Sequence, residues 1–326
     1  MRKTYHLCLS SHDEVMFRDE VDLRMGFNAL ALAVLATESR ALAEGFMTTH
    51  HHSSVQTDAP KELMRRFRYA YSRYYNARYG RTGRLGERTF FSLEVYGIYH
   101  LTSMLNYVIR QGLHHGISAT PFGYPHCSAN AFFRRDLGKD TAPELIKPSL
   151  RYKYLPDGVN VPDHYRMDKT GLLLREDILD TAYVEEIYIT PRNYLYQMNR
   201  LTDEKDLYDQ KKENDTQPIT IDLIEAGVEE FDVRQALINE QGRVNHNLMS
   251  DLELCRVIDS QIVPRYLKDS QMPTLYALPH RMRERIGEGL WQETLQSRYR
   301  AGNRSSGRFL QGKTVTEKQL RRCLCL

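Results

Sequence analysis

Apolar and polar positions change period several times along the first 115 residues, and each change marks an element. Residues 4–10, Thr-Tyr-His-Leu-Cys-Leu-Ser, read as a short strand. A 3.6-residue period follows over about 19–38, where Val21, Leu23, Phe27, Leu30, Leu32, Val34 and Leu35 form one apolar stripe of a helix. Residues 41–48 and 51–57 are two further strands, and Asp58-Ala59-Pro60 is a breaker that also starts a helix over 60–79. Gly80, Gly83 and Gly86 mark a loop, 89–95 (Thr-Phe-Phe-Ser-Leu-Glu-Val) is a strand, and 97–113 is a helix. The order β, α, β, β, α, β, α predicts an α+β fold: a ferredoxin-like antiparallel sheet with helices, plus one extra helix.

Beyond residue 120 the period is lost. Pro121, Gly123, Pro125, Pro143, Pro148, Pro156 and Pro162 make a poorly periodic stretch from about 120, and 126–170 is read as a connector. Residues 171–326 read as a mainly helical C-terminal region, with amphipathic runs at 250–267 and 279–296 and a capping-box start at Ser250-Asp251-Leu252-Glu253. Residues 203–216 are polar enough for a mobile loop. The expected organisation is therefore 1–125, a connector, and 171–326, whose ending from Val315 to Leu324 could open a helix-turn-helix unit.

Composition adds little until it is read by position. The 326 residues are 41% hydrophobic and 27% charged, ordinary for a folded chain, with 21 Tyr and 1 Trp. The net charge of +3 is a cancellation. Residues 61–90 hold nine Lys or Arg against two Glu, and 281–326 hold eleven against four, while 176–260 is acidic. The first basic block also carries Tyr69, Tyr71, Tyr74, Tyr75 and Tyr79. Cations interleaved with aromatic rings suit a single-stranded nucleic acid, the cations tracking phosphates and the rings stacking on bases. A solvated helix face is the alternative reading of the same block. For the basic tail, DNA contact and a structural helical pack both stay open. No window is long and apolar enough for a membrane span, and the start lacks a signal-like apolar run. Five cysteines without a CxxC pair suit reduced thiols, so a cytoplasmic protein is expected.

Two clusters could carry chemistry. In His50-His51-His52 on a strand, His50 and His52 share a face, where two imidazoles could hold one cation; a solvated strand edge has the same pattern. Tyr107 and Gln111 lie four apart on a helix and so share a face, although Leu101, Met104, Leu105 and Val108 show that this helix also has a side to bury.

Taken together, these parts resemble one family over about residues 4–125. Tyr5-His6-Leu7 opens the first strand, and Met47-Thr48-Thr49-His50-His51-His52 stands at the family's Met-Pro-Asn-His-Phe-His. The run from Tyr71 to Gly83 matches its aromatic, basic helix and glycine loop, and the run from Asn106 to Leu113 matches its catalytic helix. The chain resembles the HUH single-tyrosine transposases, the IS200-like and repetitive-palindrome-associated group. His51 stands where the family has an apolar residue, and Gln111-Gly112 where many palindrome-associated members have Asn-Pro.

The resemblance implies Tyr107 as catalytic nucleophile and His50, His52 and Gln111 as ligands of one Mg²⁺ or Mn²⁺. It implies DNA contacts from Arg65, Arg66, Arg68, Arg73, Tyr74, Arg78, Arg81 and Arg84. The expected partner is single-stranded or hairpin DNA at the end of a mobile or repetitive element, with no membrane, the chain acting as monomer or homodimer. The activity implied is cutting and rejoining through a 5′-phosphotyrosine. The competing class is a catalytically silent DNA-binding regulator on the same fold, and a replication-initiation or relaxase-like HUH nuclease is a second enzyme alternative.

Overall fold

The computed structural model describes residues 2–139, 141, 143–199, 248–267, 273–299 and 313–326. Its centre is a four-stranded antiparallel sheet in the order β2-β3-β1-β4, formed by β1 (Lys3–Ser10), β2 (Arg40–Phe46), β3 (His50–Thr57) and β4 (Phe91–Val95). β1 lies between β3, with Cys8 opposite His52, and β4, with Cys8 opposite Phe91. This is the ferredoxin-like arrangement expected from the order of elements.

The period of two divides the sheet into unlike faces. One face carries Leu7, Leu9, His51 and Val55 and is covered by α1 (Glu20–Ala36) and α2 (Pro60–Tyr79), both of which have buried stripes. Asp19 caps α1 by accepting from the backbone N–H groups of Val21 and Asp22. α2 begins with Pro60 and ends at Gly80, whose φ of 63° closes the helix in the left-handed conformation. The other face carries His6, His50 and His52 and is covered by α3 (Ile98–Ile109) and the short α4 (Gln111–His114).

The tyrosines of α2 are mostly interior. Leu63, Met64, Phe67, Tyr71, Tyr75 and Tyr79 recur every three or four residues and are buried. Burial of a phenol demands a partner for its O–H, and each has one. Tyr71 donates to the Met16 carbonyl at 2.6 Å, Tyr75 to the Val15 carbonyl at 2.8 Å, and Tyr79 to Asp22 Oδ2 at 2.8 Å. These rings pack the core and are not available to stack on bases. Tyr69, 60% exposed, is the one that faces solvent on the helix's outer side.

The core continues past residue 125. Tyr124 donates to the Phe46 carbonyl at 2.6 Å, the Ser128 hydroxyl bridges the backbone of Glu44, and Asn28 holds the backbone of Gly171 and Leu173. Phe132, Tyr165, Leu173, Val184, Tyr188 and Tyr194 belong to the same hydrophobic cluster as the sheet. The proline-rich stretch therefore lacks periodicity because it is pinned by many separate contacts, with only short 3₁₀ turns of its own.

A second cluster gathers Val15 with Leu254, Ile258, Val263, Leu290, Leu320 and Leu324. The Ser250 capping box forms as expected, and Thr316 with Gln319 makes another at the start of the helix Glu317–Leu324. That helix packs on Asp251–Val257 and His280–Tyr299 through Leu320, Cys323 and Leu324, which is a structural use of the C-terminal motif. Arg18 joins the two clusters: its side chain is fully buried and pairs with both oxygens of Asp259 at 2.8 Å. The polar stretch 203–216 lies outside the described residues.

Candidate active site and nucleic-acid interface

The histidine strand lies inside the protein. His50, His51 and His52 are all buried, and alternation sends them to different neighbours. His51 sits in the α1/α2 face with its ring 4.3 Å from Phe67 and 5.2 Å from Phe46. It fills a core position as an apolar residue would. Burial, helped by the nearby His50, pushes its pKa down to about 3, so it is neutral.

His50 and His52 face α3, their ring centroids 5.0 Å apart. Tyr107 stands edge-on to His52 at 5.2 Å and to His6 at 6.2 Å. Gln111 follows one turn later: its Nε2 donates to the Tyr107 carbonyl at 3.1 Å, and its Oε1 lies 3.1 Å from His115 Nε2. The His115 ring is in turn 5.0 Å from that of His50. The structure thus brings Tyr107, Gln111, His50 and His52 to one pocket and adds His6, His114 and His115, which pattern reading alone did not select. His115 could have been found from its i+4 spacing to Gln111, and His6 from its parity on β1.

Gly45 makes this convergence possible. It pairs with His52 across β2 and β3, and a Cβ there would stand 2.7 Å from the Val108 carbonyl oxygen and 2.9 Å from Gln111 Cγ. Without a side chain, the end of α3 rests directly on the strand and sets Gln111 beside the histidines.

Burial dominates the electrostatics of the pocket. It holds His52 and His115 well below the usual imidazole range, with neighbouring histidines acting in the same direction, and it pushes His6 down to about 3. The charge of Arg322, on the C-terminal helix, also lowers His115. His52 is therefore neutral, the state in which an imidazole can ligate a metal, and its Nε2 is buried with no hydrogen-bond partner among the described residues. Among those residues no three His, Cys, Asp or Glu side chains are grouped to hold a metal ion. A cation here would draw on the Gln111 amide oxygen beside the two histidines. In donor type, the set fits a divalent ion of intermediate hardness.

The basic residues divide into two populations. Arg78 is turned inward onto Asp19 and Asp22 at 2.5 and 2.6 Å, Arg81 pairs with Glu14 at 2.6 Å, and the Tyr74 hydroxyl donates to Asp22 at 2.8 Å. These three, expected at the DNA, hold the loop before α1 against α2. Arg66 is exposed but shares Glu62 with Arg65. Arg65, Arg68, Arg73 and Arg84 line a groove of about 480 Å³ between α2 and the loop 83–90, together with Lys61, Arg88, Tyr69 and Phe90.

The loop is anchored by Gly86, whose φ is 75° and whose missing Cβ would lie 2.9 Å from the Ser10 carbonyl, and by the Glu87 N–H bonded to that same carbonyl at 2.8 Å. At the edge strand, Phe90 lines the groove while the next ring, Phe91, lies 5.7 Å from His6. The groove thus lies on the α2 side of the sheet and the histidine pocket on the α3 side, with the start of β4 between them.

No helix among the described residues is long and apolar enough to cross a membrane. No family model matches the chain, and no curated protein matches it. Among solved structures, one that aligns is that of a REP-associated tyrosine transposase bound to a REP hairpin, at 11% identity and a TM-score of 0.36. The alignment covers 44% of this chain and 84% of that one. Likeness at that level assigns no residue a role, so the functional reading rests on the site itself.

Proposed function

We propose that the chain is a single-stranded DNA nicking and joining enzyme of the transposase type, with Tyr107 as nucleophile and DNA hairpins of mobile or repetitive elements as substrate. The observation that carries this reading is the convergence of Tyr107, His50, His52 and Gln111 in one buried pocket. The basic groove at the edge of the same sheet supports a nucleic-acid substrate.

In this reading the groove cations hold the strand by its phosphates, and Tyr69 and Phe90 offer ring faces to its bases. The Tyr107 oxygen, giving up its proton, attacks phosphorus; the bond from phosphorus to the 3′ oxygen breaks, and that oxygen leaves as a hydroxyl after taking a proton. The 5′ end remains on Tyr107, and a free 3′-hydroxyl reverses the step to join strands. A bound Mg²⁺ or Mn²⁺, held by His50, His52 and Gln111, would polarise the phosphodiester and offset its charge.

Purified protein incubated with a single-stranded DNA hairpin and Mn²⁺ should form a covalent adduct that is lost in Tyr107→Phe and survives denaturation in wild type. Hairpin binding without any adduct would instead identify a DNA-binding regulator. An adduct that persists in Tyr107→Phe would overturn the assignment of the nucleophile.

A further inference from the structure

One contact in the pocket has no part in the reaction above. His6, on β1, places Nε2 2.9 Å from Nδ1 of His52, the two rings stacked with planes 19° apart. Both side chains are completely buried. The outer nitrogens, His6 Nδ1 and His52 Nε2, have no hydrogen-bond partner among the described residues.

Two neutral imidazoles share one hydrogen between facing nitrogens, so the pair has two arrangements. In the first, His6 donates from Nε2 and His52 carries its hydrogen on Nε2, where it would block a metal. In the second, His52 donates from Nδ1, His6 carries its hydrogen on Nδ1, and the His52 Nε2 lone pair is available. Each arrangement leaves one buried donor and one buried acceptor without a partner, so the protein alone does not favour either by that count. Only the second presents the His52 Nε2 lone pair, on the face shared with His50, to a cation.

We propose that His6 is a positioning residue for His52: it accepts the Nδ1 hydrogen, fixes the ring and presents the Nε2 lone pair to a divalent cation. This rests on the reading of His52 as a metal ligand. Metal-bound histidines usually donate their second nitrogen to a carboxylate or a carbonyl. Here the acceptor is an imidazole, which orients the ligand without adding negative charge beside an anionic phosphodiester. His6 also has the edge of Phe91 at 5.7 Å and Tyr107 at 6.2 Å, so its ring is held by packing on further sides.

The test is direct. In ¹⁵N-histidine-labelled wild-type protein with Mg²⁺, His52 should show a protonated-type Nδ1 and an unprotonated Nε2, with the signals assigned by their loss in His52→Gln. Mn²⁺ affinity, read by titration with paramagnetic detection, should fall about 10- to 100-fold in His6→Phe, which removes the acceptor, and largely recover in His6→Gln, whose amide oxygen can accept.

His52 protonated at Nε2 in the Mg²⁺-bound protein would overturn the proposal, as would unchanged affinity in His6→Phe. The tautomer is read in the wild-type protein, and thermal unfolding screens the variants used for assignment and affinity. Failure of the functional reading looks different. Absence of a DNA adduct with His52 in the expected tautomer would sink the nuclease and leave the positioning role; an adduct formed with the opposite tautomer would do the reverse. Absence of Mg²⁺ and Mn²⁺ binding in wild type would overturn both the metal pocket and the role of His6.

Discussion

Replacing Gly45 by alanine tests whether the close approach of α3 to β2 builds the pocket. The new Cβ would stand 2.7 Å from the Val108 carbonyl oxygen and 2.9 Å from Gln111 Cγ. Carbon and oxygen settle at roughly 3.3 Å or more, so the helix end has to retreat by about 0.5 Å. The carbonyl belongs to the backbone and cannot swing aside, whereas Gln111 can rotate only by giving up its place beside the histidines. Overpacking of this kind costs about 1–3 kcal/mol. The melting temperature should fall by about 2–4 °C for each of those kcal/mol.

The effect on activity comes from geometry. A displacement near 1 Å costs about 100-fold in rate, so half of that predicts roughly a tenfold slower adduct formation on hairpin DNA. The assays are thermal unfolding and single-turnover adduct formation with Mn²⁺. Wild-type stability together with a wild-type rate would refute the close-approach argument. Lowered stability with an unchanged rate would show that Gln111 can move without consequence.

The division of the basic residues makes a second prediction. Arg68→Ala with Arg84→Ala should weaken hairpin binding and lower the salt slope by about 0.7 for each phosphate left without its cation, read from affinity against salt concentration. Arg78→Ala should leave that slope unchanged and lower stability, because its charge is spent on Asp19 and Asp22. Asp259→Ala strands the fully buried Arg18 and should cost about 3–5 kcal/mol in chemical denaturation. Tyr71→Phe removes the donor to the buried Met16 carbonyl and should cost about 1–3 kcal/mol, with hairpin affinity unchanged if Tyr71 is a core residue.

Much of the first 115 residues was legible along the chain. Pro60 starting α2 and Gly80 ending it are local features, and the elements fall within a few residues of where the sequence pattern puts them. The i,i+4 spacing of Tyr107 and Gln111 was legible too, although the helix expected over 97–113 is divided at Arg110 into α3 and α4, and the Gln111 amide keeps the turn by donating to the Tyr107 carbonyl. The role of the connector was not, since a segment pinned by isolated contacts such as Tyr124 to Phe46 carries no period.

The sequence by itself determined which elements form and which residues share a face, because backbone geometry imposes periods of two and 3.6 wherever the chain goes. It could not determine what each face meets. In α2 the tyrosines and arginines look alike in sequence, yet Tyr71, Tyr75 and Tyr79 are core, Arg78 is an internal ion pair, and Arg68 and Arg73 line the groove. His51 and His52 are neighbours in the chain, yet one packs against Phe67 and the other joins His6 and Tyr107. Whether a charge faces an anion of the protein or open solvent, and whether an imidazole meets a phenyl ring or another imidazole, depends on residues far away in the chain. Tertiary packing alone decides those meetings, because hydrogen bonds and ion pairs act over a few ångströms of space and are blind to distance in sequence.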